Sequence, residues 1–191
     1  MFFSSFFRPG GHGKPISVMA ENFNSYLDHI DTALWHELCV REGKLRRYER
    51  GEEFVRAGET GKYIGYIKSG TLKYFTVSSN GDEHVIGLEL AGEFVADFPF
   101  SIYNQKSRVS IVATSRCEIY CLPVNIIAER MKTDQRIRDC VMRSTEAVFA
   151  TVYDRYLALH TKTPQERYDD LMNQHPDLFQ NLSPEGYRLL P

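Results

Sequence analysis

The sequence lacks several things, and each absence removes a class of function. No apolar run approaches the roughly 20 residues that a helix needs to cross a bilayer, so no membrane span is expected. Neither sign of charge prevails: 23 Lys and Arg stand against 25 Asp and Glu. That balance gives no broad pull toward nucleic acid or a membrane surface, and any DNA contact has to be local. The four cysteines, Cys39, Cys117, Cys121 and Cys140, are scattered and follow no export signal, which reads as reduced, mostly buried thiols in a cytoplasmic protein. Cys117 and Cys121 share a strand face but sit about 13 Å apart at the usual rise, too far to bridge or to ligate one ion. An iron–sulfur site needs clustered thiolates, and the segment before Cys39 has none. The six histidines are equally dispersed. Only Glu83-His84 falls on an expected strand, and neighbours on a strand point to opposite faces, so no metal centre is expected. Phosphate-binding glycine loops and nucleophile elbows are missing too, and nothing here reads as an enzyme.

What is present is a run of short β segments between Gly51 and Pro123, punctuated by Gly51, Gly58, Gly70, Gly81 and Gly92. Strands are expected at 45–49, 53–56, 62–68, 71–78, 83–90, 109–114 and 116–122. Some alternate cleanly: Ile86, Leu88 and Leu90 share one face, and so do Val109, Ile111 and Ala113. Ser79-Asn80-Gly81-Asp82 is a hairpin turn, because Asn-Gly tolerates positive φ. The fold class is mainly β with α, an antiparallel β-roll of the jelly-roll or double-stranded β-helix kind. One stretch breaks the rhythm. Gly92 to Ser110 opens with Phe94-Val95-Ala96-Asp97-Phe98-Pro99-Phe100, too apolar for a solvated loop. It is expected to form a short buried helical turn whose N–H groups, around Ala96 to Phe98, face a small anionic effector. Arg108 and Lys106 are the nearby cations. The alternative is a filled roll in which Phe94, Phe98 and Phe100 are simply core.

Helical periodicity flanks the roll. Phe23, Tyr26, Leu27, Ile30, Leu34, Trp35 and Leu38 mark a helical entry broken near Asp31 and stopped at Gly43. After Pro123 a brief helix carries Ile126, Ile127 and Met131, and Thr133 or Asp134 can cap a long one to about Lys162. Along it, Ile137, Val141, Thr145, Val148, Val152, Tyr156 and Leu159 make a heptad-like seam, which predicts a homodimer. Thr163-Pro164-Gln165-Glu166 is a capping box that restarts the chain. From Pro164 onward five carboxylates oppose two arginines, a poor surface for DNA. The expected division is a mobile tail over 1–18, or residues ahead of an alternative start at Met19; the roll with its N-terminal helices over 19–123; the dimerisation helix over 124–162; and the start of a truncated helical domain over 163–191.

Leu45, Gly51-Glu52, Gly58, Tyr66-Ile67-Lys68-Ser69-Gly70, Gly81 and Gly92-Glu93, followed by the long helix and Thr163-Pro164-Gln165-Glu166-Arg167, resemble the Crp/Fnr family of bacterial transcription regulators. The resemblance implies a cyclic-nucleotide-binding-like roll, a dimerisation helix and a C-terminal winged helix-turn-helix. On it, Ala96-Asp97 stand where the family's phosphate cassette has Gly-Glu, Ser107-Arg108 where it has Arg-Ser, and Val152 and Tyr153 at its base-contacting positions. Asp97 is a methylene short and Pro99 lacks a donor, so cyclic AMP and cyclic GMP are expected to bind weakly or not at all. Two functions follow. One is a dimeric regulator that contacts DNA if a complete helix-turn-helix follows Pro191. The other is a stand-alone sensor and dimerisation module without a DNA reader.

Overall fold

The computed structural model describes residues 24–174. The expected tail over 1–18 and the acidic stretch after Gln174 lie outside the described residues. Within them the strands are β1 (Lys44–Tyr48), β2 (Glu53–Val55), β3 (Tyr63–Ser69), β4 (Leu72–Val77), β5 (Glu83–Glu89), β6 (Phe94–Val95), β7 (Ser110–Ala113) and β8 (Cys117–Pro123). They form two antiparallel sheets, ordered β1-β8-β3-β6 and β2-β7-β4-β5, and this interleaving is a jelly roll. The strands expected from alternation are present. The addition is β6: Phe94 and Val95 pair with Tyr66 and Gly65 of β3 instead of opening a helical turn. The reason is packing on both faces. Val95 is fully buried inside the roll and Phe94 packs outside it, the alternation of a strand and not of a helix.

The sheet holding β3 and β8 is buried on both sides. Ile67, Cys117, Ile119 and Cys121 fill the roll interior, while Ile64 and Leu122 turn outward to meet the helices. Three elements cover that outer face: α1 (Thr32–Glu42), α2 (Val124–Thr133) and α3 (Gln135–Thr161). A 3-10 turn at Ser25–His29 precedes α1 and α4 (Pro164–Gln174) follows α3. Each break has a local cause. Asp31 caps α1 by accepting from the Leu34 N–H at 2.9 Å, and Asp134 caps α3 by accepting from the Arg136 N–H at 2.9 Å. The Thr163–Glu166 box closes reciprocally: Glu166 Oε2 accepts from the Thr163 N–H at 2.7 Å, and Thr163 Oγ1 accepts from the Glu166 N–H at 3.3 Å.

Three expectations need correction. In the β4–β5 hairpin only Gly81 has positive φ, and its N–H closes a turn onto the Ser78 carbonyl at 3.0 Å; Asn80 is not left-handed. A turn followed by one left-handed glycine is the bulged hairpin form, which spares Asn80 the unusual conformation. On β5, which ends at Glu89 and leaves Leu90 outside it, the expected face is unevenly covered: Leu88 is buried and Ile86 is 49% exposed, and a register shift falls between Tyr74 and Phe75 of the paired β4. The heptad-like seam also divides. Ile137 and Val141 are buried in this chain's own core, whereas Val152, Tyr156 and Leu159 are exposed.

Gly70 sits at φ +94°, where a Cβ would come within 2.5 Å of both the Arg116 carbonyl oxygen and Cys117 Sγ. Gly70→Ala combines the left-handed penalty of about 1–2 kcal/mol with a clash against backbone, so urea denaturation should show a loss above about 2 kcal/mol. Gly81→Ala is the comparison, because at φ +89° its Cβ meets nothing within 4 Å and only the conformational cost applies. Equal losses for the two would refute the packing argument.

The four cysteines are free and buried. Burial pushes the Cys39 thiol up to about 12 and those of Cys121 and Cys140 up to about 11. Ellman's reagent at pH 8 should therefore find no rapidly reacting thiol in the folded chain and four in urea, because the thiolate is the nucleophile. A fast burst without denaturant would contradict this.

Candidate functional site

A cavity of about 340 Å³ lies between the open side of the roll, the 3-10 turn and α3. This is the small end of the range usual for ligand pockets, about 300–1,000 Å³. Trp35, Ile64, Phe94, Phe98, Phe100 and Val148 give it a mainly apolar wall. Trp35 is fixed by donating its ring N–H to Ser144 Oγ at 2.9 Å and by an edge-on contact with Phe98, centroids 6.2 Å apart. From α3 the cavity is walled by Ser144, Val148, Thr151, Val152 and Arg155.

One side is a buried carboxylate network centred on Asn24. Its amide nitrogen donates to the Leu88 carbonyl at 2.9 Å, to Glu89 Oε2 at 2.7 Å and to Glu93 Oε2 at 3.0 Å. Glu89 Oε2 also accepts from the Tyr26 hydroxyl at 3.2 Å, and Glu93 Oε2 from the Leu90 N–H at 2.7 Å. Arg155 of α3 completes the set by donating to Asn24 Oδ1 at 2.8 Å. Burial, reinforced by the neighbouring Glu93, pushes the Glu89 carboxyl well above its ordinary range. Burial also raises Glu93, but the rise is opposed by the Leu90 N–H, the Glu89 carboxyl and Asn24, which stabilise its charged form. Two carboxyls this close cannot both ionise cheaply, so they are arranged to share a proton.

The residues singled out from the sequence are partly brought together. Asp97, Ser107 and Arg108 meet at the other side of the cavity: burial raises the Asp97 carboxyl, while the Ser107 hydroxyl, the Arg108 backbone N–H and the Arg108 charge pull it back down. Arg108 itself is exposed and stacks on Phe100, its guanidinium carbon 4.6 Å from the ring centroid. The expected N–H cradle around Ala96 to Phe98 does not form as a helical turn. A run of turns stands there instead, and the Ala96 N–H is already spent on the Tyr74 hydroxyl at 3.2 Å, which in turn donates to the Ala96 carbonyl at 3.1 Å. Phe98 and Val152 line the cavity. Tyr153 does not: it points away from it and stacks on Phe149, centroids 6.0 Å apart at 14°. Lys106 is exposed on the loop, in a bridge to Thr60. Sequence reasoning missed Asn24, Tyr26, Glu89 and Arg155. The one usable signal was Glu89 itself, a carboxylate between Leu88 and Leu90 four residues before Glu93.

No group of three or more metal-ligating side chains forms among the described residues, and none of their helices is long and apolar enough to cross a membrane. The described residues thus form a jelly roll with a small, partly open, mainly apolar cavity walled by a long helix. Comparison with known proteins agrees. Residues 45–134 match the family described as the cyclic nucleotide-binding domain. Electron transport regulator A of Shewanella oneidensis is 28% identical over 144 residues, covering 74% of this chain and 56% of that protein. The fumarate and nitrate reduction regulatory protein of Yersinia pestis is 28% identical over 160 residues, covering 81% and 63%. The catabolite activator protein of Thermus thermophilus shares the fold, with a TM-score of 0.55 at 21% identity over 71% of this chain and 62% of that one. Residues 45–134 thus match the cyclic nucleotide-binding domain, and the chain is similar over most of its length to regulators of the Crp/Fnr type. It spans between half and two-thirds of the length of the two curated relatives above.

Proposed function

We propose that this chain is the sensing and dimerising part of a Crp/Fnr-type transcription regulator. The roll cavity takes a small effector, α3 pairs with α3 of a second copy, and DNA is contacted by a helix-turn-helix domain whose first helix is α4. The observation that carries this reading is the double duty of α3. One face, with Ile137, Cys140, Val141, Ser144, Ala147 and Thr151, is buried against the rest of the chain. The other exposes Met142, Phe149, Tyr153 and Tyr156, at 59%, 67%, 51% and 55%. At about 100° per residue those four fall in one narrow stripe, and such a stripe on a helix that also walls a cavity is suited to couple effector to partner. The division into a roll to Pro123, a dimerisation helix to Lys162 and a following domain belongs to the same reading. Sedimentation equilibrium tests it: a dimer across the micromolar range supports it, and a monomer throughout overturns it.

The alternative, a sensor and dimerisation module that does not read DNA, is favoured only by the charge of α4, where Glu166, Asp169 and Asp170 face a single arginine, Arg167.

A further inference from the structure

We propose that the cavity takes a small amphipathic amine, an apolar ring or chain carrying one ammonium group, with Asp97 as its anchor. This deepens, and rests on, the reading of the cavity as the effector site. The polar groups around it are not equally available. Tyr74 is committed to Ala96 in both directions, Arg155 donates to Asn24, and Arg108, at the exposed rim of the cavity, stacks on Phe100. Glu89 is occupied by Asn24 and Tyr26. Asp97 Oδ2 remains: it is buried, it belongs to a residue of the cavity wall, and it has no hydrogen-bond partner. The unmet demand of the cavity is therefore for a donor, not an acceptor.

The surroundings favour a cation for the same reason. At the Asp97 end an anion would meet the unpaired carboxylate oxygen with like charge, whereas an ammonium group would meet it with opposite charge; Glu89, which keeps its proton, opposes neither, and Arg155 is already committed to Asn24. The faces of Phe94, Phe98 and Phe100 add attraction for a cation and cover its apolar body. Burial holds the Asp97 carboxyl above its ordinary range, and Ser107 and the Arg108 N–H beside it pull it part of the way back toward the charged form that an ammonium group would complete. The expectation of an anionic effector is thereby replaced by its opposite in charge.

Isothermal titration calorimetry on the whole chain at neutral pH decides the matter, with phenethylamine and hydrocinnamate as probes of like shape and opposite charge, and cyclic AMP as the third. Phenethylamine should bind more tightly than either anion. Asp97→Asn, which keeps the volume, should weaken it at least tenfold and leave hydrocinnamate unchanged. Val148→Trp, which fills the cavity from α3, should abolish binding of phenethylamine while the thermal transition persists. Tighter binding of hydrocinnamate or cyclic AMP that is lost in Arg108→Ala would overturn the amine while leaving the cavity an effector site. Phenethylamine binding indifferent to both Asp97→Asn and Val148→Trp would overturn the site. No heat from any probe would also overturn the amine assignment, and sedimentation would then judge the dimer independently.

Discussion

Phe149→Asp is expected to turn a dimer into a monomer, with the association constant falling by roughly a thousandfold or more. Phe149 is 67% exposed and lies stacked on Tyr153 at the middle of the apolar stripe of α3. In a symmetric pairing of two such helices it meets its own counterpart, so every substitution acts twice. Truncating one aromatic anchor at the centre of an interface costs about 2–4 kcal/mol, and an aspartate adds the desolvation of a charge facing another charge. Val148, which the heptad-like spacing would equally have offered, is a poorer choice because it lines the cavity. Lys132→Ala, on the exposed end of α2 where the side chain pairs with Glu129, should leave the association unchanged. Light scattering coupled to size exclusion reads both, and a Phe149→Asp variant that stays dimeric would move the partner surface elsewhere.

Glu89→Gln should stabilise the fold at pH 8 and do little at pH 4. In the folded chain Glu89 is held well above its ordinary pKa, by burial first and by Glu93 second. Its unfolded value is about 4.3. Between that value and the raised one the folded state keeps a proton that the unfolded state has released, so stability falls as pH rises through the window. Each unit of upward shift corresponds to about 1.4 kcal/mol lost above the window. Glutamine copies the protonated form: its oxygen still accepts from Asn24 and Tyr26, and its NH₂ can donate toward Glu93. The wild-type-minus-variant difference in urea midpoint should therefore grow from pH 4 to pH 8. Glu89→Leu should instead destabilise by about 1–2 kcal/mol at either pH, because it removes two buried hydrogen bonds while the Asn24 amide keeps Leu88 and Glu93 and the Tyr26 hydroxyl keeps the Phe94 carbonyl. A difference that is flat with pH would mean that Glu89 is ionised in the folded chain.

The roll was legible because its strands obey local rules. Alternation at Val109, Ile111 and Ala113, and glycines where the backbone turns left-handed at Gly51, Gly58, Gly70, Gly81 and Gly92, are properties of a few neighbouring residues. β6 was not legible, since Phe94 and Val95 are two residues whose strand character comes only from the edge of β3. The site divides along the same line. Asp97, Ser107 and Arg108 lie within a dozen residues of one another, and reading the stretch as one unit sufficed to put them together. Glu89, Asn24 and Arg155 come from three distant parts of the chain, and nothing near any of them announces the others. The seam failed halfway for a related reason: periodicity along α3 cannot distinguish the face turned to its own roll from the face turned outward, and Ile137 and Val141 took the first while Tyr156 and Leu159 took the second.

The contact between Asn24 and Arg155 spans 131 residues, and the one between Ser25 and Thr151, hydroxyl to hydroxyl at 3.1 Å, spans 126. Contacts of such separation close a very long loop and are expected late in folding, after the local hairpins and the nearby pairing of α2 with α3. The five-residue 3-10 turn buries only Leu27 among its own residues and is held chiefly by the polar contacts of Asn24 and Tyr26, so loss of that network is expected to open it as one unit. Each such opening strips Glu89 and Glu93 of their shared amide and loosens the C-terminal half of α3 from the roll. On the proposed reading of the cavity as an effector site, one short segment would then serve both as its lid and as the clasp on the long helix.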